Sequence, residues 1–148
     1  MRPAADNGAP PPALPATLAR RALALIYEAL LLAAVVFVGS LPFVMLVHAA
    51  DHGIARLLFQ LYLVALTGLY FAWQWRHGGQ TLAMKTWRMR LVTRAGAPLT
   101  WGHALRRFAF ALPGTLLFGA GFLWALVDRE GQFLHDRLAG TKIVNSDP

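Results

Sequence analysis

Three long apolar segments alternate with short polar or basic ones along the chain. The first covers residues 22–47, which is long enough to cross a bilayer as a helix, and it carries one ionisable residue, Glu28. The second covers residues 57–75 and ends in aromatic residues, and the third, residues 108–127, has no charge. This pattern predicts an all-α membrane protein with a cytosolic amphipathic loop between the second and third segments. The predicted helices lie at about 20–47, 55–75 and 105–127.

Pro113 and Gly114 interrupt the third segment, which is therefore expected to be bent or re-entrant there. The distribution of positive charge helps to decide whether this segment spans the membrane or is re-entrant. A full span would put ten Lys and Arg residues on one side of the membrane and four on the other, whereas a re-entrant segment would give thirteen and one. Because basic residues accumulate on the cytosolic side, the count favours the re-entrant form, although an apolar run of this length usually spans.

Outside these segments the chain is polar. Residues 1–17 contain five of the nine prolines and no apolar period, so they are expected to form a disordered tail. The membrane domain is then residues 18–145, and residues 146–148 are a short C-terminal tail. The first apolar run is too long for a cleaved signal peptide and is expected to stay in the membrane.

Composition supports a membrane protein, because 57% of the residues are hydrophobic and only 14% are charged. The net charge of +7 comes from basic residues that flank the apolar runs, and residues 76–107 carry seven of them with no acid. This distribution predicts contact with anionic lipid headgroups and a cytosolic N-terminus in a bacterial inner membrane, and it does not favour nucleic acid as a partner. The chain has no cysteine, which excludes disulfides and thiolate metal sites.

A short pattern occurs twice. Residues 79–82, Gly-Gln-Thr-Leu, recur 52 residues later as Gly-Gln-Phe-Leu at 131–134, and Leu-Val at 91–92 recurs as Ile-Val at 143–144. Two copies of one pattern are expected to share an environment, so this repeat favours a cytosolic C-terminus, with coincidence between two basic strips as the alternative. His135 and Asp136 of the second copy replace an apolar pair of the first.

Three motifs follow one another: Arg21 with an acid seven residues later, the Gly-Gln-Thr-Leu of 79–82, and the closing His-Asp-Arg-Leu-Ala-Gly-Thr of 135–141. Together they resemble the RDD family of small bacterial membrane proteins, named for one arginine and two aspartates. The resemblance covers about residues 18–145. It implies an integral inner-membrane protein of largely unassigned molecular function, with transport, including cation and proton exchange, as the recurring suggestion.

The resemblance places the family arginine at Arg21 and the second aspartate at Asp136. The first aspartate falls on Glu28, which keeps the charge on a side chain one methylene longer. We therefore expect a polar site in the membrane domain that includes Arg21, Glu28, His135, Asp136 and Arg137.

Each of these residues has a plainer structural interpretation. Glu28 at membrane depth is either a proton or cation site or half of an ion pair with a cytosolic arginine, and the ion pair is favoured. Arg21 is interpreted as an end residue whose charge reaches the headgroups. Asp136, between His135 and Arg137, is expected to form an ion pair that holds the C-terminal strip against the loop or the first helix.

Enzyme motifs are absent from the sequence, which predicts a protein without catalytic residues or cofactors. His48, Asp51 and His52 have a spacing that could hold a metal on a helix, but this is a weak candidate because polar links between helices commonly contain such residues. The leading hypothesis is cation, proton or small-solute transport, with a homo-oligomer expected because three helices enclose little volume. The alternative is an accessory or scaffold subunit of a larger membrane complex.

Overall fold

The structure is a computed structural model that describes residues 16–46, 52–117 and 119–146. Most of the predicted N-terminal tail and the weak metal candidates His48 and Asp51 lie outside these ranges, as does the side chain of His52. The helices are α1 Leu18–Leu46, α2 His52–Arg76, α3 Leu82–Thr86, α4 Trp101–Leu116, α5 Ala120–Leu123 and α6 Leu134–Ala139, with a 3-10 turn at Trp124–Leu126. The strands are β1 Met89–Thr93 and β2 Thr141–Asn145.

Two helices, α1 and α2, are long and apolar enough to cross a membrane. They pack against each other and expose large apolar side chains on their outer faces, among them Phe37 and Leu69. Close approach depends on glycine: a Cβ added to Gly39 would lie 2.4 Å from the Leu66 side chain, and one added to Gly68 would lie 2.8 Å from the Phe108 ring. Small residues at such positions let helices meet in an apolar environment.

The third apolar segment is not one helix. α4 begins at Trp101, after Thr100 caps its N-terminus, and it continues through Pro113 and Gly114 to Leu116. The chain then folds back, and α5 with the following 3-10 turn lies at 105° to α4. The predicted break at Pro113–Gly114 is therefore misplaced. Proline removes one hydrogen bond from a helix, but the reversal needs a left-handed residue, and Gly119, with φ of 77°, supplies it.

The loop between the second and third segments contains β1, which pairs antiparallel with β2 near the C-terminus. The all-α prediction is therefore incomplete. We call α3, β1, α6 and β2 together the platform. One face of its two-stranded ribbon carries Met89, Leu91 and Ile143, which are buried against the ends of the apolar helices.

The two copies of the repeated sequence pattern have the same arrangement of elements in the platform. Each copy begins with a glycine of positive φ, 66° at Gly79 and 60° at Gly131, and continues into a short helix and a strand. Leu91 pairs with Ile143, and these are equivalent positions of the two copies. The other pairs follow the same symmetry, since Met89 faces Asn145 and Thr93 faces Thr141. The two copies are thus related by an approximate two-fold axis through the ribbon centre, which favours a true repeat over coincidence.

Candidate functional site

A buried ion pair joins α4 to α6. Nε of Arg107 donates to Oδ1 of Asp136 at 2.6 Å, and the two residues are 6% and 1% exposed. The guanidinium carbon lies 4.2 Å from the centre of the Trp75 ring on α2, a cation–π distance. Other polar contacts lower the cost of a buried charge pair, and here the Thr141 hydroxyl donates to Asp136 Oδ1 at 3.4 Å, whereas Oδ2 has no hydrogen-bond partner among the described residues. The pair therefore connects α2, α4, α6 and β2.

His135 is the second hydrogen-bond partner of the Arg107 side chain. An Nη2 proton of Arg107 is directed at Nε2 of His135 at 3.3 Å, and because arginine only donates, the histidine nitrogen accepts and is unprotonated. Burial among Phe122 and Phe133 lowers the pKa of His135 to about 4, with the Asp136 charge opposing that shift. The imidazole is therefore neutral at physiological pH. Its Nε2 lies 3.9 Å from Asp136 Oδ1, so the two do not form a catalytic dyad.

Arg21, near the start of α1, points inward and is 3% exposed. Its guanidinium donates to the backbone carbonyl oxygens of Gly131 and, at 3.4 Å, of Ile143. Its Nε has no hydrogen-bond partner among the described residues. The interpretation of Arg21 as a residue that reaches out to the headgroups is therefore wrong, because the C-terminal segment supplies carbonyl acceptors inside the protein.

Glu28 lies two turns further along α1 and is 9% exposed. Its Oε1 accepts a hydrogen bond from the Tyr70 hydroxyl of α2 at 2.9 Å. Over the described residues no arginine, lysine or histidine lies within ion-pair distance of this carboxyl. The favoured sequence interpretation, an ion pair with a cytosolic arginine, is not what the structure contains, because the described partner of the Glu28 carboxyl is the Tyr70 hydroxyl.

These side chains border one cavity of about 770 Å³ between α1, α2, α4 and α5. Its polar boundary consists of a few side chains near the platform and on α1, α2 and α4: Arg21, Glu28, Thr67, Thr81, Arg107, Thr115, His135. The rest of the wall is mostly apolar. A volume in the range of about 300–1,000 Å³ is typical of sites that enclose a small organic molecule.

A family model described as the RDD family matches residues 15–140. The chain belongs to the RDD family. No curated protein and no solved structure matches it. Together with its apolar helices, this membership makes the chain an integral membrane protein.

The RDD positions do not form a single cluster in this protein. Arg21 and Asp136 both lie where α1 meets the platform, but each has different partners, and Glu28 lies about 10 Å along the helix from Arg21 at 1.5 Å per residue. Arg137 is elsewhere. It pairs with Asp128 at the end of the folded-back segment, and its side chain is 40% exposed.

Asp128 organises that turn. Its carboxylate accepts from the backbone N–H groups of Gln132 and Glu130 as well as from Arg137. These contacts, with the Gln132 hydrogen bond the largest cause, lower the pKa of Asp128. Arg137 and Asp128 thus fix the chain where it leaves the folded-back segment and enters the platform. No group of His, Asp and Glu residues that could hold a metal occurs in the part of the chain that the structure describes.

Sequence reasoning missed Arg107, Trp75 and Tyr70. Arg107 looks no different from its neighbour Arg106 in the sequence, yet Arg106 is exposed and Arg107 is buried. The available signal was Thr100, a good N-cap, since a helix that begins at Trp101 puts Arg107 almost two turns into that helix, directly before the apolar segment.

We predict that Asp136→Asn lowers the free energy of unfolding in detergent by about 3–5 kcal/mol, because it leaves the Arg107 charge buried and unpaired. Adding Arg107→Met to Asp136→Asn should cost much less than the sum of the two single changes. The matched control is Arg137→Gln, which removes a partly exposed arginine and leaves Asp128 its two backbone hydrogen bonds, and it should cost about 1 kcal/mol or less. Additive single effects, or equal losses at the two pairs, would contradict the site described here.

Proposed function

We propose that this RDD protein is a multi-pass protein of the bacterial inner membrane with its N-terminus, platform and C-terminus in the cytosol. Pairing of β1 with β2 supports this, since paired strands must lie on one side of the bilayer. The hydrogen bonds of Arg21 to Gly131 and Ile143 bring the start of α1 to the same side. On this topology α1 and α2 cross as a hairpin, and α4 with α5 enters and returns.

Length and charge agree with this topology. α4 has 16 residues, or roughly 24 Å of helix, which is less than the roughly 30 Å of a bilayer core. With the segment re-entrant, Arg56 is the one basic residue on the far side, against thirteen on the platform side. That asymmetry supports a cytosolic platform.

Reporter fusions test the topology. A fluorescent protein fused after Pro148 and one inserted at Gly96, in the exposed turn after β1, should both fluoresce in cells, because both sites are cytosolic. Alkaline phosphatase inserted between residues 47 and 51 should be active, because that link faces outward. Phosphatase activity after Pro148 would show that the third segment spans and would contradict the proposal.

We further propose that the protein moves a small solute across the membrane through the cavity and has no catalytic activity. The observation that carries this proposal is Glu28, a carboxyl at membrane depth that has no ion-pair partner among the described residues and borders a cavity of about 770 Å³. Ionisable residues inside a membrane bundle are costly and mark solute or proton pathways. The volume favours an organic solute over a bare cation, and one copy supplies the residues that line the cavity, so the proposal does not require an oligomer.

A second candidate, an accessory subunit, is favoured by the other charges. Arg107 donates to both Asp136 and His135, and these contacts join four elements of the fold, which is what a purely architectural cluster would do. On this hypothesis Glu28 would likewise serve only to hold α1 against α2 through Tyr70.

Glu28→Gln separates the two candidates. The amide keeps an oxygen for the Tyr70 hydroxyl, so the fold should be retained, while the carboxyl is lost. In liposomes that contain a pH-sensitive dye, we expect the wild-type protein to give a solute-dependent signal and Glu28→Gln to reduce it about tenfold or more, as loss of a group that handles a proton typically does. Glu130→Gln, the same change at an exposed acid, should leave the signal unchanged.

An unchanged signal in Glu28→Gln, or no signal in the wild type, would remove the transport proposal. A variant that lowers the yield of a larger complex without any effect on flux would favour the accessory role.

A further inference from the structure

Arg21 is a buried cation whose charge is not matched by a contacting carboxylate. Its described partners are two neutral carbonyl oxygens, and its Nε has none. The two nearby aspartates, Asp136 and Asp128, form their ion pairs with Arg107 and Arg137, and they act on Arg21 through space without contacting it. Arg21 borders the cavity and is 3% exposed. A buried positive charge in this state is stabilised by an anionic or strongly accepting group.

The remainder of the cavity has the opposite character. Along α1 its wall passes from Arg21 through Leu25 and Leu32 to Val36, a distance of roughly 22 Å at 1.5 Å per residue. Apolar residues of α2 and α4 face this stretch across the cavity: Leu63, Val64, Phe108, Ala111, Leu112. The cavity is therefore long, apolar over most of its length and cationic at the end near the platform.

A small inorganic anion would balance the Arg21 charge but leave the apolar length in contact with water, and a neutral hydrocarbon would leave the guanidinium charge without an anion. Both requirements are met by one molecule with an acidic head and an apolar chain. We propose that the cavity binds a single-chain amphipathic acid, with its carboxylate against Arg21 and its chain along α1 toward Val36. This inference rests on the proposed function, since it names the chemical class of the solute.

Direct binding tests it without any requirement for flux. The full-length protein in discs of neutral phosphatidylcholine is titrated with isotopically labelled dodecanoate, and binding to discs without protein is subtracted. Dodecanoate should bind at one saturable site. Dodecanol, with the same chain and no charge, should bind about tenfold more weakly or worse, because hydrogen bonds to a charged partner are worth more than neutral ones.

Arg21→Gln should reduce dodecanoate binding to the level of dodecanol. Its matched control is Arg20→Gln, which removes the same charge one residue earlier from an exposed side chain and should leave binding unchanged. Arg21→Gln also removes contacts to the platform, so its effect on binding is not specific to the lost charge. A second variant therefore keeps Arg21 and changes the apolar wall instead. Ala111→Trp fills part of the apolar wall and should weaken dodecanoate while leaving hexanoate unaffected.

Three results would overturn the inference: no saturable dodecanoate binding to the wild type, equal binding of acid and alcohol, or equal effects of Arg20→Gln and Arg21→Gln. Phosphatidylglycerol, which has a phosphate and two chains, is then added to the discs. If it does not displace dodecanoate, the site selects a single-chain acid as proposed, and if it does, the site accepts a two-chain bilayer lipid and the single-chain proposal is overturned. Binding of dodecanoate without flux would remove the transport proposal and keep this inference. Flux of another solute without dodecanoate binding would keep the transport proposal and remove this inference.

Discussion

The structure depends on one constraint, that positive charges inside an apolar bundle must find acceptors. Arg21 finds two carbonyl oxygens of the C-terminal segment, and Arg107 finds Asp136, His135 and the face of Trp75. Each contact joins parts of the chain that are far apart in sequence. Because an unpaired charge would cost several kcal/mol in these surroundings, the start of α1, the inner part of α4 and the platform are held together by the same requirement.

The repeated pattern explains how a short chain provides those acceptors. In the first copy the buried positions of the short helix are Ala83 and Met84, and in the second copy the equivalent buried positions are His135 and Asp136. The two-fold arrangement presents both copies to the ends of the apolar helices, but one contributes packing and the other contributes charge. The same asymmetry puts the polar end of the cavity on the side of the second copy, near the start of α1.

The apolar segments were sufficient to predict α1 and α2, because long uninterrupted hydrophobic runs have few alternative structures. The ribbon was not predictable from its strands alone: five residues in each, separated by about 50, pair only because the repeat sets their register. The position of the chain reversal at Gly119 depended on a backbone conformation that Pro113 does not determine. The sequence named Arg21, Glu28, His135 and Asp136 as site residues.

The sequence does not identify the partners of these residues. Tyr70, Trp75 and Arg107 face the site because of how α2 and α4 are rotated about their own axes. That rotation follows from packing contacts, such as Gly68 against Phe108, that involve residues distant in sequence. Burial then distinguishes Arg107 from Arg106 and Arg21 from Arg20, pairs of adjacent arginines that composition and charge counting treat alike.

The central claim, that the start of α1 lies against the C-terminal strand on one side of the membrane, is tested most directly by cross-linking. The chain has no cysteine, so Ala16→Cys with Ile143→Cys introduces the only two thiols, at residues whose backbones are hydrogen-bonded at 3.5 Å. In native membranes a short bifunctional thiol reagent should link them within one chain, and it should not link Leu46→Cys, at the other end of α1, to Ile143→Cys. No link between positions 16 and 143, or equal linking from position 46, would contradict the account.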